Sequence, residues 1–288
     1  MGGVWSTPGI SSNNNWIQQT PNIFSYYDIS SIATHPSNSG IVYFATGKLY
    51  GNVTDKPGAG IFKSIDHGQT WNLVYVTDPS TNGNITACIT KIEVALNGDV
   101  FVATASRGAP WNAIRTGIYI LNADNTSLDP FIGTDNKSSK GFDIERAKNG
   151  DMWVSCFDNP TSPSQRALYK CRWNSFTSLW MRIPQASSGS IPINDDINRV
   201  ELACAPNDEN VVYAFYYLKT GGVDVYKTIN GESSGLATSQ WTLCSNPQSQ
   251  VPNIIGSQPG RDLSIVVDPN NKDIVYIGCL KVAKGVFS

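Results

Sequence analysis

The chain has 288 residues, of which only 15% are charged, with a formal net charge of -2 and no basic run. That balance excludes nucleic acid or an anionic membrane as the principal partner. No apolar run approaches the roughly 20 residues of a membrane span, and no Cys/His spacing suggests a metal, so neither metal nor cofactor is expected.

The N-terminus, Met1-Gly2-Gly3-Val4-Trp5, reads as a start residue on a mature chain without a secretory leader. Gly3-Val4-Trp5-Ser6-Thr7 and then Trp16 look like the third and fourth strands of a preceding unit. A strand–turn–strand hairpin then recurs, ending in Tyr43, Phe101, Trp153, Tyr213 and Tyr276. Each turn is rich in Asn, Gly or Pro: His35-Pro36, Asn97-Gly98, Asn149-Gly150, Pro206-Asn207 and Pro269-Asn270. The repeat length of roughly 50 to 60 residues is that of a propeller blade.

A third strand follows each hairpin: Gly60-Ile61-Phe62-Lys63, Gly117-Ile118-Tyr119-Ile120, Ala167-Leu168-Tyr169-Lys170, Val223-Asp224-Val225-Tyr226-Lys227 and Gly285-Val286-Phe287-Ser288. The fourth strand often brings a Trp, as at Trp71, Trp180 and Trp241. Full blades are expected at about 28–76, 88–133, 141–184 and 197–246, with partial ones at 1–20 and 262–288, all in a single domain over 1–288. No apolar stripe of helical period competes. The fold expected is therefore all-β, a β-propeller of four-stranded antiparallel blades. It would have about five blades, or be a piece of a larger propeller of roughly six to eight. Most of the six cysteines sit in apolar strands as buried free thiols, with a Cys156–Cys171 bridge as the alternative.

Ser64-Ile65-Asp66-His67-Gly68-Gln69-Thr70-Trp71 has the form S-x-D-x-G-x-T-W. Asp66 is suited to gather backbone N–H groups, Gly68 to supply a positive φ, Ser64 and Thr70 to close the turn, and Trp71 to pack between sheets. Thr228-Ile229-Asn230-Gly231 followed by Trp241 looks like a worn copy with an insertion. This turn resembles the Asp-box (BNR) repeat of sialidase-like propellers, and the unit around it is similar to blades of xyloglucanase-type hydrolases, the sortilin family and photosystem assembly factors. The resemblance implies a structural Asp66, on the face opposite the usual ligand site. His35 and His67 read as turn-satisfied or solvated.

The same topology puts the loops from second to third strands on the ligand face. Those at 47–59, 105–116, 157–165 and 217–222 carry Tyr50, Arg107, Trp111, Arg115, Phe157, Asp158 and Tyr217, and the approach to the first blade adds Tyr26, Tyr27 and Asp28. Aromatic faces among Asn, Asp and Arg suit a sugar-binding groove. Glycoside hydrolysis would need two carboxyls roughly 5–10 Å apart. Asp143 and Glu145, two apart on an inner strand, are the visible pair, the alternative being an ion network with Lys91, Arg146 and Arg199. The N-terminal arginine motif of sialidases is absent, and the loop beginning Gly47-Lys48-Leu49-Tyr50-Gly51 lacks the Asp of the xyloglucanase pattern. The reading is a secreted or surface-exposed propeller binding a polysaccharide or other glycan, either alone or as part of a glycoside hydrolase. A protein-interaction or assembly propeller is the alternative.

Overall fold

A computed structural model describes residues 3–9, 15–20, 28–47, 58–77, 88–105, 117–121, 128–132, 140–157, 167–173, 181–182, 197–218, 220–231, 241–254, 256 and 263–287. The chain divides into two compact units, Met1–Lys140 and Gly141–Ser288. In the first, β1 (Trp5–Ser6) and β2 (Ile17–Gln18) form a two-stranded sheet. The first full sheet follows in order β3 (Ile29–His35), β4 (Asn38–Thr46), β5 (Gly60–Ser64) and β6 (Asn72–Val76). The second comprises β7 (Cys88–Val94), β8 (Val100–Ala105), β9 (Gly117–Leu121) and β10 (Leu128–Ile132).

In the second unit the third full sheet is β11 (Lys140–Arg146), β12 (Asp151–Phe157), β13 (Ala167–Arg172) and β14 (Met181–Arg182). The fourth is β15 (Ile197–Cys204), β16 (Val212–Leu218), β17 (Val223–Thr228) and β18 (Thr242–Ser245). A short helix, α1 (Pro247–Gln250), capped by the Asn246 side chain, leads to the last sheet. That sheet has three strands: β19 (Ser264–Asp268), β20 (Asn271–Gly278) and β21 (Val282–Val286). Neighbouring strands of the described pairs run antiparallel as meanders, as short connections between them require.

The hairpins form because their turn residues bond to their own backbone. Asn97 and Asn149 each accept from the Asp two residues on, at 3.1 and 2.9 Å, while Gly98 and Gly150 adopt φ of 94° and 90°. His35 behaves likewise, its Nδ1 accepting the Ser37 N–H at 3.1 Å. Around Asp66, Oδ1 accepts the Ser64 hydroxyl at 2.7 Å and the Thr70 N–H at 2.9 Å, and Oδ2 accepts the Thr70 hydroxyl at 2.5 Å. Ser64 Oγ accepts the Gly68 N–H at 2.8 Å, and Gly68 has φ 86°. The turn delivers Trp71 edge-on to Phe44, which stacks on Phe62, so a polar turn fixes an apolar wedge. Thr228-Ile229-Asn230-Gly231 repeats part of this: Asn230 N–H donates to Thr228 Oγ1 at 3.2 Å, and Gly231 N–H reaches Asn210 O as His67 N–H reaches Gly40 O.

Within each unit successive full sheets pack face to face, and strand alternation sorts a strand's residues between the two faces of its sheet. Tyr43, Ala45 and Ile61 of the first sheet meet Ile92, Val94, Val100 and Val102 of the second, while Phe44 and Phe62 turn the other way, toward Val4. In the second unit Tyr213, Phe215 and Val225 of the fourth sheet meet Val275 and Ile277 of the last.

Three expectations need correction. Cys156 is a free thiol opposite Ala167, and Cys171 lies opposite Met152, so the register forbids a Cys156–Cys171 bridge. The last third strand is Val282–Val286, with Lys284 opposite Tyr276 as Lys63 is opposite Tyr43. The repeat therefore aligns Lys63 with Lys284 rather than Ser288; the Gly-aromatic pattern of 285–287 misled because cross-strand pairing, not composition, sets register. Finally, Tyr217–Gly222 is no long loop. The ladder runs through Tyr217 to Leu218, and Leu218 N–H to Gly222 O and Gly221 N–H to Leu218 O close a tight turn.

Candidate ligand-binding site

The expected ligand face depends on how the loops leave their strands. Two loop roots are pinned by threonines. Thr46 Oγ1 accepts the N–H groups of Ala59 and Gly60 at 2.8 and 2.9 Å, and Thr104 Oγ1 donates to Gly117 O at 3.4 Å. Gly60 is required there, since a Cβ would meet the Tyr75 carbonyl. The loops beyond these roots, with Tyr50, Arg107, Trp111 and Arg115, lie outside the described residues, as do Tyr26, Tyr27 and Asp158.

The described part of the expected face is Asp28, exposed at the start of the first sheet with its C=O accepting the Gly47 N–H at 2.9 Å, and the β16–β17 end of the fourth sheet. Tyr217 stands opposite Arg199 on β15 and Val223 on β17, half-buried against the core shared with the last sheet. Arg199 is not free to grip a ligand carboxylate. Its Nε donates to Glu201 Oε1 at 2.6 Å, and Nη2 reaches Leu263 O at 3.5 Å. Both side chains are largely buried, so the pair belongs to the scaffold in the manner of an inner-strand ion network.

On the opposite face of the same sheet, Tyr216 pairs with Val200 and Asp224. Tyr216 is buried, and Tyr226 meets its ring edge-on at 5.4 Å. Asp224 is half-buried and makes no hydrogen bond or ion pair with any described residue. Burial alone pushes its carboxyl above the usual aspartate value. Burial, and then the Asp224 charge, raise the Tyr226 hydroxyl. A half-buried carboxyl beside two phenol rings offers acceptor oxygens to a sugar hydroxyl. Residue-type reasoning passed over Asp224 as one polar member of a Val-Asp-Val-Tyr-Lys strand; its alternation with Tyr226 is the signal that marks it.

The pair Asp143 and Glu145 sits on β11, where Asp143 is 1% exposed. Asp143 Oδ1 accepts the Ile144 N–H at 2.9 Å and Oδ2 accepts the Leu202 N–H at 2.7 Å. Its own N–H donates to Ser155 Oγ, whose hydroxyl donates to Val200 O at 3.0 Å. These bonds fasten the third sheet to β15 of the fourth. Ser31 occupies the corresponding place in the first sheet, four residues before His35 as Asp143 is four before Ala147, and its Oγ accepts the Ile92 N–H of the second sheet at 3.1 Å. Among the described residues no group of His, Cys, Asp and Glu is placed to hold a metal ion, and no helix is long and apolar enough to cross a membrane.

No family model matches the chain. A xyloglucanase of Hypocrea jecorina (strain QM6a) is 24% identical over 159 residues, covering 54% of this chain and 18% of that protein. Among solved structures, the GH74 xyloglucanase from Xanthomonas campestris is similar with a TM-score of 0.55 at 14% identity, over 90% of this chain and 45% of that one. A Hadza microbial sialidase has a TM-score of 0.51 at 14% identity, over 87% of this chain and 52% of its own. A protein of unknown function from Dyadobacter fermentans reaches 0.52 at 13% identity, over 89% of this chain and 74% of its own. The chain thus spans less than half of either xyloglucanase. These likenesses show the fold: a β-propeller built of four-stranded antiparallel blades.

Proposed function

We propose that this chain is a secreted or surface-exposed propeller of the Asp-box type that binds a glycan, of the β-glucan class, at the loop-bearing ends of its sheets. The observation that carries this reading is the agreement of two likenesses, of backbone to xyloglucanase and sialidase propellers and of sequence to a xyloglucanase. The hydrogen bonds around Asp66 support the Asp-box assignment. In this reading Tyr26, Tyr27, Tyr50, Trp111 and Tyr217 supply stacking surface, Arg107, Arg115 and Asp158 hold hydroxyls, and Asp224 adds a poised carboxyl. Asp143 is structural, because both its oxygens are already taken by backbone donors and a catalytic carboxyl must reach the scissile bond.

The test is retention of the purified chain on immobilised xyloglucan, other β-glucans and sialosides, with released oligosaccharide assayed in parallel. Retention on β-glucan without release is expected, weakened at least tenfold in Trp111→Ala and severalfold in Asp224→Asn. A folded chain retained on none of the panel overturns the reading. Oligosaccharide release abolished in a folded Asp143→Asn variant would return Asp143 and Glu145 to catalytic roles.

A further inference from the structure

The two faces of the fourth sheet treat charge differently. On the face toward the last sheet, Lys227 Nζ donates to Asp273 Oδ1 and to Phe287 O, each at 2.6 Å, and lies 5.7 Å from the centre of the Tyr213 ring. A carboxylate, a backbone carbonyl and a tyrosine ring thus hold one ammonium group. Lys63 of the first sheet lies over Tyr43 in the same way, 5.4 Å from the ring centre. Such sockets work because the cation offsets the carboxylate and is drawn to the electron-rich face of the ring.

The other face carries a carboxylate and two tyrosines, with no ammonium group among the described residues to match them. By alternation Tyr216, its cross-strand partner Asp224 and, two residues further on, Tyr226 share that face. Tyr216 is 2% exposed, and Tyr226 meets its ring edge-on. Neither phenol hydroxyl nor the Asp224 carboxyl makes a hydrogen bond or ion pair with a described residue. Buried polar groups are ordinarily satisfied, so three adjacent oxygen-bearing side chains left open, one of them on a buried ring, mark a place for a ligand. The set selects the chemistry of that ligand. An ammonium group donates N–H groups that carboxylate and phenol oxygens accept, and it offsets a charge that burial disfavours, which a neutral hydroxyl does not.

We propose that Tyr216, Asp224 and Tyr226 form a site for a primary ammonium group, and that the glycan bound by this chain carries one, as an amino sugar does. The inference rests on the glycan reading above and narrows it from β-glucans in general to those bearing amino groups. The internal precedent is Lys227, one residue beyond Tyr226, whose ammonium is held by the same kinds of group on the opposite face. Position favours a sugar amine over a lysine of a protein partner. Asp224 lies near the start of β17, at the end of the sheet closed by the turn of Leu218 and Gly222, which is the end expected to meet the glycan.

The test is calorimetry on the whole chain with a β-linked glucosamine oligomer, its N-acetylated form, the cello-oligosaccharide of the same length, a lysine-bearing peptide and ethylammonium. The glucosamine oligomer should bind about tenfold tighter than the other two glycans, the scale of one charge-assisted hydrogen bond. Asp224→Asn should erase that preference and Tyr226→Ala weaken it severalfold. Glu209→Gln, which removes the same charge from the β15–β16 turn, should leave it intact. That control is needed because a chain of net charge -2 attracts any polycation. Equal binding of the glucosamine and cello-oligosaccharides, or a preference that survives Asp224→Asn, overturns the ammonium site and leaves the glycan reading standing. A lysine peptide bound as tightly as the amino-sugar oligomer, and lost in Asp224→Asn, overturns the amino-sugar assignment. If no glycan binds, the glycan reading falls and the amino sugar with it, and ethylammonium decides the site by itself. Saturable binding lost in Asp224→Asn then keeps the ammonium site, and absence of binding overturns it.

Discussion

At the scale of single residues, two aspartates illustrate opposite uses of environment. Thr70, through its hydroxyl and then its N–H, and Ser64 hold the Asp66 carboxyl down from its ordinary 3.8 to about 2. A carboxyl depressed in the folded state adds stability above its unfolded value, and that contribution is lost as pH falls from 3.8 through about 2. Asp66→Ala should therefore melt earlier than wild type at neutral pH, with the difference closing toward pH 2 in a thermal series. Equal melting at pH 7 would show the turn to be energetically idle. Asp224 has the reverse sign, because burial raises its carboxyl. Its charged form burdens the fold at neutral pH, and the burden disappears on acidification below 3.8. Asp224→Asn should raise the melting temperature at pH 7 and leave it unchanged at pH 3, the pattern of a residue kept for a purpose other than stability.

At the scale of elements, what holds one sheet to the next is a few polar pins set in an aliphatic contact. Each fully buried aliphatic side chain contributes about 1.5–3 kcal/mol. A pin matters mainly because removing it orphans a buried backbone donor. Asp143→Ala strands the Leu202 N–H, and with two charge-assisted bonds lost it should cost about 3 kcal/mol in urea denaturation. Ser31→Ala, which strands only the Ile92 N–H, should cost about 1 kcal/mol. A stability loss in Asp143→Ala no larger than in Ser31→Ala would mean that the Asp143 carboxylate does not serve as the clasp. The hairpins were legible because Asn-Gly-Asp turns are local chemistry, bonded within two residues. The pins were not, since nothing in Gly-Phe-Asp-Ile-Glu says that the Asp will meet a backbone N–H 59 residues away.

At the scale of the whole molecule, the described cysteines, Cys88, Cys156, Cys204, Cys244 and Cys279, are all free. Packing, not cross-linking, therefore holds these sheets. A reductant should leave the melting temperature unchanged, and Cys88 and Cys156, both buried, should react with a thiol reagent only on unfolding. A melting temperature lowered by reductant would show a bridge that contributes to the fold.

The sequence by itself determined the all-β class, the repeating unit, the hairpin turns and the closing of the turn around Asp66. All of these rest on contacts within one repeat, where residue type and spacing suffice. Only the tertiary structure decided that Lys284, not Ser288, matches Lys63, that Arg199 is tied to Glu201, that Asp143 clasps a neighbouring sheet and that Asp224 is a half-buried acid without a described partner. It also decided which apolar residues are core and which are exposed: Val225 and Val282 read alike in sequence, yet Val225 is buried against the last sheet and Val282 is exposed among the described residues. The physical reason is common to all of these. Register, burial and carboxylate environment are set by the neighbour across the interface, and that neighbour lies tens of residues away along the chain.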